Sequence, residues 1–193
     1  MSINLMVSNN GTVDHGISLR RLETSYGLQG CVLKWFSSYV DRRTHFVRCG
    51  AFKSVPTLVL CIVPQGSVLG PILFLLYTAD LVLLIQRHDL CSHLYADDTQ
   101  IYGTCYPSAT AALTLTDKMS ACVDDVALWM CSNRLQLNTA KTKVLWCATS
   151  QRQHQIPREP TCVGTDFVQS ARSVRDLGIY LSLIHISEPT RPY

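Results

Sequence analysis

The sequence predicts an α+β domain in which helices back an antiparallel sheet. Two observations indicate this fold class. Segments typical of strands, some of them arranged as hairpins, occur along the chain between segments whose apolar residues recur at helical spacing. Hydrophobic residues make up 47% of the 193 residues and charged residues only 16%, which is the composition of a globular chain rather than a disordered one.

The first half of the chain contains three predicted helices and two predicted strands. Apolar residues three or four positions apart indicate the helices, and β-branched and aromatic residues between turn residues indicate the strands. Proline is tolerated at the start of a helix because the N–H that it lacks has no partner there. The predicted elements are helices over 17–27 and 30–41, strands over 44–50 and 53–63, and a helix from Pro71 to about Arg87.

The second half begins with a predicted hairpin whose arms are Cys91–Tyr95 and Thr99–Gly103. Ser108 is placed to cap a long helix that ends near Asn133, because apolar residues recur at helical spacing after it. A strand over 143–149, a polar loop over 151–160 and a last strand or hairpin over 173–181 complete the sequence.

Charge is unevenly distributed, although the net charge of +3 alone indicates little about partners. The segment 16–53 holds seven basic residues against two acidic ones, Glu23 and Asp41. Such a surface could neutralise nucleic-acid phosphates, and a solvated helical surface is an equally good interpretation. The basic residues are Arg20, Arg21, Lys34, Arg42, Arg43, Arg48 and Lys53.

The nine cysteines include no C-x-x-C pair, so the sequence gives no support for a zinc site. The first 15 residues lack the features of a signal peptide, and we expect an intracellular protein whose thiols are reduced and mostly buried. The apolar segment Pro71–Ile85 is shorter than the roughly 20 residues of a membrane span and includes Asp80. A core helix and no membrane association are therefore predicted.

Two pairs of adjacent aspartates have different contexts. Asp124-Asp125 falls within the predicted long helix, where a hydrated face explains it. Asp97-Asp98 falls at the tip of the predicted hairpin, where two carboxylates repel each other. The pair is either an ordinary polar turn or a site for a cation such as Mg²⁺, which prefers hard oxygen ligands.

Five segments occur in this order along the chain: "TVDHGISLRRLETSYGLQGCVLKWFSSYVDRRTHFVRCG", "VPQGSVLGPILFLLYTADL", "LYADDTQIYG", "SNRLQLNTAKTKVLWC" and "VRDLGIYL". Together they give the chain a specific resemblance to the reverse transcriptases of non-LTR retrotransposons, over roughly residues 12–181. The resemblance implies a polymerase palm whose antiparallel sheet is backed by helices, with fingers and thumb largely missing. It implies nucleotidyl transfer to a primer 3′-OH directed by RNA.

The resemblance implies that Asp97 and Asp98 are catalytic residues that hold two Mg²⁺ ions. It places Tyr95 near the primer terminus. The implied partners are an RNA template, a DNA primer and a deoxynucleoside triphosphate (dNTP).

Five further residues match positions that contact nucleotide or primer in this family. Gln65 and Gly66 match the loop that approaches the incoming nucleotide and template, although plain turn residues are the alternative. Lys141 matches a lysine near the triphosphate, although a solvated lysine is the alternative. Leu177 and Gly178 match the hairpin that positions the primer.

The chain departs from the family pattern ahead of "TVDH", where relatives read approximately "LDLSAAFDTVDH". The resemblance implies a strand there whose first aspartate holds both metals, and this chain has Leu5 at that position. Asn10 replaces the aromatic gate, Gly11 the second aspartate, and Ile62 the first glycine of "GVPQG". A leucine cannot ligate a hard cation, so the sequence predicts a defective catalyst with weak or absent Mg²⁺ binding.

The end of the chain, "SLIHISEPTRPY", resembles the conceptual translation of a sequencing adapter. We therefore predict a palm fragment over 1–181 and a non-native tail over 182–193. The predicted function is that of an inactive reverse transcriptase fragment. The alternatives are a non-catalytic nucleic-acid-binding remnant that keeps the basic segment, or a non-functional pseudogene product.

Overall fold

The computed structural model describes residues 2–8, 13–59, 67–95, 98–157, 159–164, 166–176, 179–182 and 186–187. Helices and short antiparallel strands alternate in it, which confirms the predicted α+β class. The helices are α1 His15–Thr24, α2 Gly30–Val40, α3 Leu69–Arg87 and α4 Ala109–Ser132. The strands are β1 Ser2–Ser8, β2 Thr44–His45, β3 Arg48–Cys49, β4 Phe52–Lys53, β5 Thr57–Leu58, β6 Cys91–Tyr95, β7 Asp98–Tyr102, β8 Gln136–Leu137, β9 Lys143–Leu145, β10 Thr161–Val163, β11 Asp166–Val168, β12 Ser173–Asp176, β13 Ile179–Ser182 and β14 Ile186–Ser187.

The chain forms two compact units. The first comprises Met1–Ser8, Leu81–Met130 and Gln136–Tyr193, and the second comprises Asn9–Asp80 and Cys131–Leu135. The first unit contains the main sheet, in which β6, β7, β1 and β8 are neighbours in that order and β9 also pairs with β1. The second unit contains α1, α2 and two small ribbons, β2 with β5 and β3 with β4.

Side-chain caps explain where two of the helices begin. Asp14 caps α1, because its Oδ1 accepts a hydrogen bond of 2.9 Å from the N–H of Ile17. Ser108 caps α4 as predicted, and its Oγ accepts from the N–H of Ala111 at 3.1 Å. Both bonds satisfy backbone donors that have no partner within the helix.

Helix α3 buries one stripe and exposes another. It is long and apolar enough to cross a membrane by length and composition alone, and a third of that stretch is buried. Its buried positions follow helical spacing, as in a core helix, whereas Ile72, Leu75 and Leu83 are about half exposed. The absence of membrane association stays a prediction. The buried residues are Leu73, Phe74, Tyr77, Thr78, Leu81 and Ile85.

Helix α4 confirms the predicted apolar stripe. Met119, Cys122, Val123, Val126 and Met130 are all fully buried. Burying an apolar side chain of this size contributes about 1.5–3 kcal/mol, so this stripe is a main source of stability for the first unit.

Gly103, the residue after β7, lies close to two leucines, one just before the hairpin and one within α4. A Cβ atom at Gly103 would lie only 2.8 Å from the side chain of Leu90 and 2.9 Å from that of Leu115. A larger residue at this position would therefore require the side chains of Leu90 and Leu115 to shift.

Several short elements differ from the sequence prediction. The strand predicted over 143–149 ends at Leu145, and the loop predicted over 151–160 contains a 3₁₀ turn, Ser150–Gln155. The predicted strands over 44–50 and 53–63 form the four two-residue strands of the ribbons, and residues 60–63 lie outside the described part. Strands β8, β10 and β11, of two or three residues each, were not predicted, because so few residues show no periodicity.

The prediction that the cysteines are mostly buried is wrong for the part of the chain that the structure describes. There, Cys122 is the buried thiol, Cys162 is half-buried, and the others are exposed. The described cysteines are all free thiols, as predicted. Burial raises the pKa of the Cys122 thiol to about 12, so it stays protonated at neutral pH. The exposed thiols are Cys31, Cys49, Cys91, Cys105, Cys131 and Cys147.

Candidate active site

The predicted hairpin is present, with strand β6 antiparallel to β7. Tyr95 and Asp98 are Cα partners at its end, so two residues, Ala96 and Asp97, connect the strands. Those two residues lie outside the described part of the chain. Asp98 is the first residue of β7 and half-buried, not a turn residue as predicted, and Thr99 beside it is 3% exposed. The sheet therefore fixes the backbone of Asp98 on the strand rather than in a loop.

Strand β1 lies directly beside β7, with Leu5 paired with Thr99 and Met6 paired with Asp98. The family resemblance implied a strand at this place in the sequence, and the structure contains one. That Leu5 stands where relatives have the first metal-binding aspartate stays a prediction from the family resemblance. In this register Met6 is opposite Asp98, and Leu5 is its neighbour on β1.

The other edge of β1 contacts the segment that contains Lys141. Strand β8 pairs with the end of β1, strand β9 pairs with its start, and the 3₁₀ turn Thr139–Lys141 contacts β1 between them. Lys141 itself is exposed. Residues Leu5 and Met6 therefore have β7 on one side and the turn that ends at Lys141 on the other.

Asn138 holds this turn in place and was not predicted. Its Oδ1 accepts a hydrogen bond of 3.2 Å from the backbone N–H of Lys141. Asparagine three residues before a turn end is a common local cap, and this spacing was the available signal in the sequence.

Tyr95 is accessible at the end of β6, with 64% of its surface exposed. Its predicted place near the primer terminus stays a prediction. On the same strand, the ring of His93 stacks on that of Tyr102 at a centroid distance of 5.1 Å, which links the two arms of the hairpin.

Five of the predicted site residues lie outside the described part of the chain: Asp97, Gln65, Gly66, Leu177 and Gly178. Their roles stay predictions. The strands on either side of residues 177 and 178 are described, and β12 pairs with β13 up to Asp176 and Ile179. The hairpin predicted for that segment is therefore present, with a two-residue connection.

The described side chains do not complete a metal site. Among them, no group of three or more His, Cys, Asp or Glu residues is placed to hold a metal ion. Asp98 supplies one carboxylate, and the hydrocarbon side chain of a leucine at position 5 has no atom that could ligate Mg²⁺. The described residues therefore fit Mg²⁺ only in part.

The second aspartate pair behaves as the sequence predicts. Asp124 and Asp125 are exposed on α4, and Asp125 Oδ2 lies 2.8 Å from Nε2 of His88. A hydrated helix face explains this pair.

The basic residues of the segment 16–53 are exposed except for Arg21. Arg21 donates hydrogen bonds to the carbonyl of Tyr77 and, over 2.8 Å, to Oδ1 of Asn133. It also lies 3.4 Å from Asp80. The assignment of Arg21 to a phosphate-binding surface is therefore wrong, because these partners within the protein occupy its guanidinium group.

The sequence profile of the family described as reverse transcriptase (RNA-dependent DNA polymerase) matches residues 12–181. The chain belongs to the reverse transcriptase family. The match covers the span over which the motifs resemble this family, and it confirms that prediction. It begins after β1, so the comparison of Leu5 with the metal-binding aspartate depends on its distance from "TVDH" and on the pairing of β1 with β7.

The chain is similar to the RNA-directed DNA polymerase from mobile element jockey of Drosophila melanogaster. The two are 28% identical over 109 residues, which are 54% of this chain and 12% of the relative. The chain therefore corresponds to a small part of that relative. Reverse transcriptases generally use Mg²⁺ and bind an RNA template, a DNA primer and dNTPs.

Proposed function

We propose that the chain is a palm fragment of the reverse transcriptase of a non-LTR mobile element, that it binds RNA template and DNA primer, and that it does not extend the primer. The pairing of β1 with β7 carries this proposal, because it places Leu5 beside the strand that begins with Asp98. The similarity to the jockey polymerase supports the type of element.

Each predicted site residue has a role in this proposal. Asp97 and Asp98 are the remaining metal-binding carboxylates, and Tyr95 contacts the primer end. When bound, two Mg²⁺ ions roughly 3.5–4 Å apart would stabilise the charge that develops during nucleotidyl transfer.

The nucleotide and primer positions keep the roles that the family resemblance implies. Gln65 and Gly66 approach the incoming dNTP and template. Lys141 faces the triphosphate of the dNTP. Leu177 and Gly178 support the primer backbone. Because Leu5 contributes no carboxylate, stabilisation of the transition state is lost while substrate binding is retained.

A second candidate function is nucleic-acid binding in which the residues of the ancestral active site have no role. The exposure of the basic residues between Arg42 and Lys53 favours it, since exposed cations are available to phosphates. Both candidates require binding to nucleic acid and both exclude primer extension. They differ in whether the hairpin of β6 and β7, which carries Asp97 and Asp98, still contacts the primer end.

We expect no templated extension by the purified chain when a DNA primer on an RNA template is supplied with dNTPs and Mg²⁺. The loss of one transition-state contact typically lowers the rate by roughly 10²–10³-fold, which puts extension below detection in a gel assay. Fluorescence anisotropy of the same primer–template measures binding in parallel.

Two outcomes of these assays would contradict the proposal. Extension that disappears in Asp97→Ala and in Asp98→Ala would show that the chain is an active enzyme and would overturn the proposal. Absence of primer–template binding would show that the fragment does not bind nucleic acid, which would overturn both candidate functions.

A further inference from the structure

The two ribbons of the second unit, residues 42–58, form a positively charged segment that we call the arm. Residues 42–58 include four basic side chains, Arg42, Arg43, Arg48 and Lys53, and no acidic residue. Every residue from 42 to 58 is exposed. An exposed cationic arm of this kind attracts a polyanion at long range and contacts it directly at short range.

The two strands near the tip of the arm place like charges opposite each other. Strand β3 is antiparallel to β4, and Arg48 is the Cα partner of Lys53. Like charges directly opposite on a ribbon destabilise it. An anion between the two side chains would remove that repulsion.

An aromatic ring lies on the same face of the arm as these charges. Phe46 is two residues before Arg48 along an extended segment, and the Nζ of Lys53 lies 5.0 Å from the centre of its ring. Phe46 is 48% exposed, so the side chain remains accessible beside the ammonium group. The Arg48–Lys53–Phe46 face thus combines two cations with a flat apolar ring.

The opposite face of the arm lacks this combination. Cys49 and Phe52 are Cα partners, so they share the face that Arg48 and Lys53 do not occupy. Phe52 is 83% exposed and no cation–π contact of its ring is present among the described residues. The two faces therefore provide a matched comparison within the same arm.

We propose that the Arg48–Lys53–Phe46 face binds single-stranded RNA. Phosphates lie against Arg48 and Lys53, and an unpaired base stacks on the ring of Phe46. A single strand is favoured over a duplex, because the faces of paired bases are covered by their neighbours and are not available for stacking. This inference rests on the proposed function, which supplies an RNA template as the ligand.

Anisotropy of a fluorescein-labelled 12-nucleotide oligouridylate, titrated with the full chain over a range of salt concentrations, tests the proposal. We expect Arg48→Ala/Lys53→Ala to weaken binding and to reduce the slope of log affinity against log salt by roughly 1.4, the value for two phosphate contacts with a single strand. Phe46→Ala should weaken binding roughly tenfold, and Phe46→Trp should restore it, whereas Phe46→Leu should not.

Three controls separate this face from general electrostatics. Arg87→Ala/Arg152→Ala removes the same charge from exposed residues outside the arm and should leave most of the affinity and slope intact. Phe52→Ala removes the ring of the opposite face and should change affinity by less than about twofold, well short of the effect of a lost stacking partner. A 12-base-pair RNA duplex should compete less well than the unlabelled single strand.

The result that overturns the inference is RNA binding by the wild-type chain that the Arg48/Lys53 and Phe46 variants leave unchanged. Equal losses from Phe52→Ala or from the Arg87/Arg152 pair, or equal competition by the duplex, would overturn it as well. A wild-type chain that does not bind RNA at all would overturn both this inference and the proposed function, whereas the outcomes above overturn the inference alone, so the two failures are distinguishable.

Discussion

Arg21→Ala is expected to lower the free energy of unfolding by about 2–4 kcal/mol, because it leaves buried acceptors without a donor. The Arg21 side chain is 13% exposed. Its guanidinium group donates to the carbonyl of Tyr77 and to Oδ1 of Asn133, and lies 5.0 Å from the centre of the Tyr77 ring. One side chain on α1 thereby connects a residue of α3 to the turn that follows α4.

Tyr77 strengthens the same connection. It is 1% exposed, and its hydroxyl donates a hydrogen bond of 2.6 Å to the carbonyl oxygen of Asn133. Burial raises the pKa of the Tyr77 hydroxyl, which keeps this donor protonated at neutral pH. Loss of Arg21 therefore removes two hydrogen bonds from a network that also holds the phenol in place.

Urea denaturation of matched variants measures this effect. The neighbouring Arg20→Ala removes an exposed arginine and should change the free energy of unfolding by less than about 0.5 kcal/mol. Asp80→Asn should cost less than about 1 kcal/mol, because Asp80 is 49% exposed and water screens its pairing with Arg21. An Arg21→Ala variant as stable as Arg20→Ala would show that the network contributes little.

Leu5→Asp is expected to raise the affinity of the chain for Mg²⁺ by about tenfold or more, equivalent to about 1.4 kcal/mol. The new carboxylate would lie on the strand that pairs with β7, one position from the residue opposite Asp98, and its charge would repel the aspartate pair of the hairpin unless a cation is bound there. The variant should be less stable than the wild type without Mg²⁺, and Mg²⁺ should raise its melting temperature, since a ligand that binds the folded state stabilises it.

Melting curves and isothermal titration with MgCl₂ measure this gain. Leu5→Asn has nearly the same shape without the charge and should show little Mg²⁺-dependent stabilisation. Leu5→Asp/Asp97→Asn/Asp98→Asn should lose most of the gain, because the aspartate pair of the hairpin is then neutral. A wild-type chain that binds Mg²⁺ as tightly as Leu5→Asp would contradict the proposal that Leu5 stands in place of a metal ligand.

The sequence predicted the elements that have strong periodicity. The stripe from Met119 to Met130 recurs at helical spacing and became the buried face of α4, and the residues on either side of Asp97 formed the hairpin. Strand β1 came only from the family resemblance. Short elements and contacts between distant residues were not predicted. Strand β8 has only two residues, and the partners of Arg21 lie 56 and 112 positions away in the sequence.

The sequence predicted the hairpin that carries the candidate site, whereas the roles of the site residues stay predictions. The family resemblance predicted that Leu5 stands at a metal-ligand position, and the structure pairs the strand of Leu5 with β7. Asp98 was expected in a turn and lies on a strand, because residues 96 and 97 alone connect the arms. The alternation of the Phe46 and Phe52 faces required the ribbon register, which the residue pattern over 44–63 did not define.

The measurement that tests the account most directly is the pairing of β1 with β7 in solution, by nuclear Overhauser contacts in isotope-labelled protein. Residues directly opposite in an antiparallel pair alternate between hydrogen-bonded and non-hydrogen-bonded geometry. We expect an Hα–Hα contact for one of the pairs Leu5–Thr99 and Met6–Asp98, and an amide–amide contact for the other. Absence of both contacts, or pairing of β1 in a register that moves Leu5 away from Asp98, would contradict the claim that Leu5 occupies the place of a lost metal ligand.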